Sequence, residues 1–118
     1  MVMASNAIFL GWNRAIPGRE RIAGEHFQEF AQYLGGLQVK GTIQSFDVVL
    51  LTAHGGDLNG FFLIRGESAK LDALTATDEW ATHVVRGGLH EEGLGVVRGT
   101  TGDQVMAQMA LWTSLIPK

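Results

Sequence analysis

His83 follows Trp80 by three residues, so a helix through this stretch sets both side chains on one face, pointing at whatever the helix packs against. An imidazole titrates near neutral pH, and at the wall of a mostly apolar pocket it serves as a general base or a ligand contact. Buried with its nitrogens satisfied, the same histidine is an ordinary core residue; its type and position allow both readings. Trp80 would line the same pocket. The densest polar run is His54-Gly55-Gly56-Asp57-Leu58-Asn59-Gly60. Its His54, Asp57 and Asn59 could orient a small substrate from a loop. Yet Gly, Asp and Asn are also what a hairpin turn demands for positive φ and local hydrogen bonds. The glycines at 55 and 60 have the outer spacing of a phosphate loop, but no Lys-Ser/Thr follows.

Asn13 and Arg14 end the first apolar run, and Arg65 ends a later one on the same strand face as Phe61 and Leu63. A guanidinium on an apolar face needs a carboxylate or an anion. Asp47, on the strand expected to pair with that of Arg65, is the expected partner across the hairpin or at a seam between two copies.

Other chemistries are excluded by composition. There is no cysteine, so disulfides, thiolate metal sites and a cysteine nucleophile are absent, as suits a reducing compartment. The four histidines, at 26, 54, 83 and 90, show no pair at ligand spacing on a common element, so neither a metal nor any other cofactor is expected. Ser5, Ser45, Ser68 and Ser114 lack the G-x-S-x-G setting of a nucleophile. Asp78-Glu79 and Glu91-Glu92 are adjacent pairs, which diverge on a helix and read as solvated faces. With a net charge of −3 and nine scattered basic residues, the chain has no stripe for a phosphate backbone, and nucleic acid is not an expected partner. The N-terminal stretch to Trp12 has no Lys or Arg and only a short apolar run, unlike a signal peptide. No window is long and apolar enough to span a membrane, so the expectation is a cytoplasmic protein.

These residues must be placed by a chain of 118 residues, enough for one domain with its own core. Ala7 to Trp12 reads as a strand closed by Pro17-Gly18. Ala23, Phe27, Phe30, Leu34 and Leu37 repeat at helical spacing, and the helix either frays at Gly35-Gly36 or runs on to Lys40 with Gly41 as its stop. Thr42 to Leu51 and Asn59 to Arg65 read as a hairpin, with Phe46, Val48 and Leu50 on one face of its first strand and Ile43, Val49 and Leu51 on the other. Ser68 and Thr77 are placed to cap two short helices, broken off at Gly87-Gly88 and Gly93. Leu94 to Arg98 is a fourth strand, and Thr101 to Gln104 fits a capping box opening a helix with Val105, Met109, Trp112 and Ile116.

The order β-α-β-β-α-β plus a terminal helix predicts an α+β, ferredoxin-like four-stranded antiparallel sheet with its helices on one face, spanning residues 1–118 as a single domain. A sheet with one wet face alternates polar and apolar residues. Ile8-Phe9-Leu10, Val48-Val49-Leu50-Leu51 and Phe61-Phe62-Leu63-Ile64 do not. The second face therefore needs a cover, either a second copy in a homodimer or the chain's own terminal helix.

With its element order, two-sided strands and Thr77-Asp78-Glu79-Trp80-Ala81-Thr82-His83, the chain resembles the dimeric α+β barrel superfamily. Within it, the chain is similar to antibiotic-biosynthesis monooxygenase-like proteins, which carry a hydroxyl residue, an aromatic and a histidine at similar spacing in that helix. Asn13-Arg14 resembles a position that family uses near its pocket, while Gly87-Gly88-Leu89-His90 departs from its pattern. The resemblance implies a fold more firmly than a function, since the superfamily holds cofactor-free oxygenases, isomerases, haem-degrading enzymes and members without demonstrated activity. Three expectations follow: a homodimer binding a small apolar molecule between helices and sheet; a cofactor-independent monooxygenase or isomerase using His83 with Asn13 or Arg14; or a structural or stress-associated dimer without catalysis.

Overall fold

The computed structural model describes residues 4–118; Met1 to Met3, part of the uncharged N-terminal stretch, lie outside them. Strand β1 (Ala7–Trp12) leads through a two-residue strand β2 (Arg14–Ala15) into helix α1 (Glu20–Lys40). Strands β3 (Ser45–Leu50) and β4 (Gly60–Arg65) form the hairpin, followed by helices α2 (Ser68–Thr75) and α3 (Asp78–His90). Strand β5 (Glu91–Glu92), strand β6 (Gly95–Gly99) and helix α4 (Asp103–Ser114) complete the chain. The four longer strands make one antiparallel sheet in the order β3-β4-β1-β6, and β2 pairs with β5 in a small ladder of its own. No helix among the described residues is long and apolar enough to cross a membrane.

Strand parity places the core. Ile8 lies opposite Ile64, and Leu10 opposite Phe62; with Trp12 and Phe46 they face α1, α2 and α3. Phe62 is the hub. Its ring meets Trp12, Phe27 and Phe30 at centroid distances of 5.7, 5.3 and 5.0 Å, and 2% of its surface remains accessible. Ile43 joins this same core although its parity with Val49 assigns it to the other face. The physical reason is that it precedes β3 and sits in the bend after α1, where strand alternation has not begun.

One open alternative is decided and three local expectations are revised. Helix α1 continues through Gly35-Gly36, held on either side by Leu34 and Leu37 in the core, and ends where Gly41 adopts φ 77° and its N–H donates to the Gln38 carbonyl at 3.1 Å. Helix α3 does not break at Gly87-Gly88: Leu94 Cδ2 lies 3.0 Å from where a Gly87 Cβ would sit, so the bare backbone is covered by Leu94 and the turn is kept by packing. Ser68 is the first residue of α2 rather than its cap, which is Glu67. Thr101 does not cap α4; its hydroxyl turns to Asn6, and Gly102 takes the cap position. Two expectations hold: Thr77 Oγ1 accepts from the Trp80 N–H at 3.2 Å, and Arg65 meets Asp47 at 2.6 Å across the hairpin.

The far face of the sheet carries Ala7, Phe9, Gly11, Val49, Phe61, Leu63 and Val97, with Gly95 and Gly99 on β6 and Ser45, Asp47 and Arg65 at its β3–β4 end, as the cross-strand register requires. Helix α4 does not roof it: none of its residues is buried. The expected role of Phe62 as hub has a measurable consequence. Phe62→Ala should lower the unfolding free energy by about 3–5 kcal/mol in urea titration, the usual cost of removing a buried ring from a packed core; a loss below about 1 kcal/mol would place the hub elsewhere.

Candidate functional site

Helices α1 and α3 pack side by side over the sheet, and three histidines meet in their seam. The buried stripe of α1 is Ala23, His26, Phe30 and Leu34, so His26 occupies a position where helical spacing would otherwise set an apolar residue. On α3, His83 and His90 are seven residues apart, two turns, and share the face turned to α1. His26 Nδ1 lies 2.9 Å from His90 Nε2, and His26 Nε2 lies 3.0 Å from His83 Nδ1. The outer two imidazoles are thus joined through the middle one. The His26 and His83 rings are nearly parallel, and Tyr33 leans on His83 with ring centroids 4.4 Å apart.

The geometry of this chain decides its chemistry. His26 spends one nitrogen on each neighbour, so the three rings do not converge on a point; among the described residues no group of His, Cys, Asp or Glu is arranged to hold a metal ion. Burial pushes all three imidazoles toward the neutral form, and the Arg86 guanidinium adds to the effect in each case; His26 falls furthest, from 6.5 to about 4. Arg86 itself is held by Glu29 at 2.7 Å, a bond that keeps the Glu29 carboxyl below its ordinary value.

A neutral imidazole has one N–H and one bare nitrogen. If His83 Nδ1–H donates to His26, then His26 Nδ1–H donates to His90, leaving His83 Nε2 bare and the remaining N–H on His90. Reversing both bonds exchanges those ends. The chain therefore has two ordered states, and passing from one to the other carries a proton from one end to the other.

Beside these rings is an apolar cavity bounded by Leu10, Trp12, Phe27, Phe30, Phe62 and Leu94 together with the three histidines and Glu91. The space open to the centre of a water molecule is about 40 Å³, room for a few water-sized groups at the 10–15 Å³ each requires. Glu91 is its one carboxylate. Its Oε2 is buried without a hydrogen-bond partner, and burial raises its pKa. The adjacent pair Glu91-Glu92 is thus not a solvated helix face, because the helix ends at His90 and the β2–β5 ladder turns Glu91 inward while Glu92 reaches Arg14.

Of the residues singled out in the sequence, His83 lies at this cavity, and Trp80 is buried behind it against Phe30, 5.9 Å away. Asn13, Arg14, Asp57 and Asn59 gather elsewhere, at the end of β1. There the Asn59 side chain donates to the Asn13 carbonyl, while exposed Arg14 lies 3.4 Å from Glu92 and 4.0 Å from Asp57. His54 closes its own loop, accepting from the Gly56 N–H and pairing with the Leu58 carbonyl at 2.8 Å. His26, His90 and Glu91 were not singled out. A signal existed for the first two, since His26 falls within the apolar stripe of α1 and His90 falls two turns from His83 once α3 is continuous.

The depressed imidazoles fix a sign for stability against pH. His26 binds protons more readily unfolded than folded, so its contribution is complete above about pH 6.5 and is lost as the pH falls toward 4, on the order of 3 kcal/mol in all. Glu91 acts oppositely: its raised pKa means that ionisation at neutral pH weakens the fold. Urea titrations should therefore show stability falling from pH 6.5 to 4, less steeply in His26→Gln, and Glu91→Gln should be more stable than wild type at pH 7. Equal slopes for wild type and His26→Gln would contradict the burial assigned to that ring. Compared with protein-family models and with curated proteins, the chain matches none of them.

Proposed function

We propose that this chain is a ferredoxin-like domain of the dimeric α+β barrel kind, which binds a small, largely apolar molecule in the cavity between α1, α3 and the sheet. The observation that carries the reading is an apolar cavity walled by aromatic rings with a few polar groups at one side, the usual composition of a small-molecule site. Strand order β3-β4-β1-β6 with helices on one face supports the fold kinship, and the apolar far face of the sheet supports self-association.

A second reading rests on the imidazole chain. A molecule in the cavity that bears an acidic C–H or O–H could give its proton to the bare end of the chain and receive one at another position. That is general base catalysis without a cofactor, the first step of an isomerase or of a cofactor-independent oxygenase. His83 serves in it as an end of the relay, with His26 as its middle member.

Short enolisable ketones, butanone and cyclohexanone, test both readings in D₂O by NMR. Binding should move the amide signals of Phe27, Phe30 and Gly87 and leave those of α4 unchanged. Exchange of the ketone α-protons should exceed the buffer rate, and His26→Phe should cut it by about 100-fold, the low end of what a placed base contributes. Shifts without exchange would leave binding standing and defeat proton transfer; no shift with either ketone at millimolar concentration would defeat the site.

A further inference from the structure

Helix α4 is apolar over most of its surface, and the chain gives it nothing to pack against. Met106, Met109, Leu111 and Trp112 are all exposed, Trp112 by 60%, and Leu115 and Ile116 extend the apolar surface past its end. A helix apolar on nearly every side belongs in an interior. Its departure from the sheet is nonetheless rigidly set. Asn6 clamps the connection: its side-chain amide donates to the Thr101 carbonyl at 3.0 Å, while its oxygen accepts from the Thr101 N–H at 2.8 Å. Gly102 then turns the backbone at φ 61°, which glycine alone adopts freely. None of the residues of the helix is buried against its own sheet. The radius of gyration, 16.1 Å, accordingly exceeds the roughly 13–14 Å of a compact chain this long.

A surface that fits this helix lies on the same chain. On the far face of β6, Gly95, Val97 and Gly99 stand beside Gly11, Phe9 and Ala7 of β1. The β6 side of this strip is almost free of side chains: a Cβ added at Gly95 or Gly99 would meet nothing within 4 Å, and Val97 is 58% exposed, while on the β1 side Ala7 is buried and Gly11 is covered by the Phe9 ring and Leu58. Glycines in a strand mark places where another backbone can come close. The twelve residues of α4 span about 18 Å, and strands of five or six residues span about 17–20 Å. Charge argues against a lipid surface as the occupant, because no Lys or Arg lies between Arg98 and Lys118 and interfacial helices rely on such residues.

We propose that α4 is an exchanged arm, which in a twofold pair lies across the β6–β1 strip of a second copy while that copy's arm lies across its own. The proposal rests on the self-association named above and adds which element makes it. Two arms and two strips give equal, self-complementary contacts. The flexible methionines and Trp112 suit such a contact, Trp being the residue type most often found at the energetic centre of an interface.

Light scattering and sedimentation on the full chain test it, with Trp112→Glu changing the arm and Val97→Glu the strip; both side chains are exposed in one protomer, so both variants should fold. Wild type should have twice the 12.8 kDa chain mass, and each variant should dissociate about 30-fold or more readily, as loss of an interface centre implies. A monomeric wild type would overturn both self-association and the arm. If Val97→Glu dissociates the pair and Trp112→Glu does not, the copies pair through their sheets and the arm is overturned alone. The reverse result would overturn the strip as the place where the arm docks.

Discussion

His26 occupies the seam between α1 and α3 with both ring nitrogens committed, one to His83 and one to His90. The rest of the arrangement follows from that commitment. A polar ring in a dry seam is costly unless its donor and acceptor are both met, and two further imidazoles meet them without introducing a charge. The consequence is a seam that stays neutral while remaining able to take up or release a proton at either end. The apolar cavity beside it strengthens every electrostatic effect that reaches it, because few waters enter to screen them.

Two carboxylates near this seam differ in the way their surroundings demand. Glu29 lies at the surface, bound to Arg86, and stays ionised. Glu91 lies at the cavity wall with an oxygen that has no partner, and its protonated form is favoured by burial. Arg86 therefore acts on the histidines as a fixed positive charge whose own counterion faces solvent. It favours the neutral form of the three rings and shares with burial the work of depressing all three imidazoles. The cavity wall thus holds imidazoles and a carboxyl that the same apolar surroundings push toward their neutral forms.

Hydrophobic pattern alone made the four longer strands, α1 and the hairpin legible, since Ile8, Phe62 and Ile64 advertise a core by their type and their place in short apolar runs. The Arg65–Asp47 pair was legible for the converse reason: charges on an apolar face need each other. What the pattern concealed was the site. Gly87 and Gly88 carry the local signature of a helix break, yet α3 runs through both, with Leu94, a residue beyond the next turn, packed on Gly87. With the helix broken in the reading, His83 and His90 lose their common face and the linked imidazoles go unseen. Likewise Glu91 looks solvated until the β2–β5 ladder, too short to leave any periodic trace, turns it inward. Tertiary contacts decided both cases, and local sequence carries no record of them.

The central claim is that three linked imidazoles are held neutral by burial, and ¹⁵N NMR of the histidine rings observes this directly. At pH 7 His26, His83 and His90 should each show one protonated and one bare nitrogen, and His26 should titrate near 4. A His26 ring that titrates near the ordinary 6.5, or that is doubly protonated at pH 6, would contradict the account.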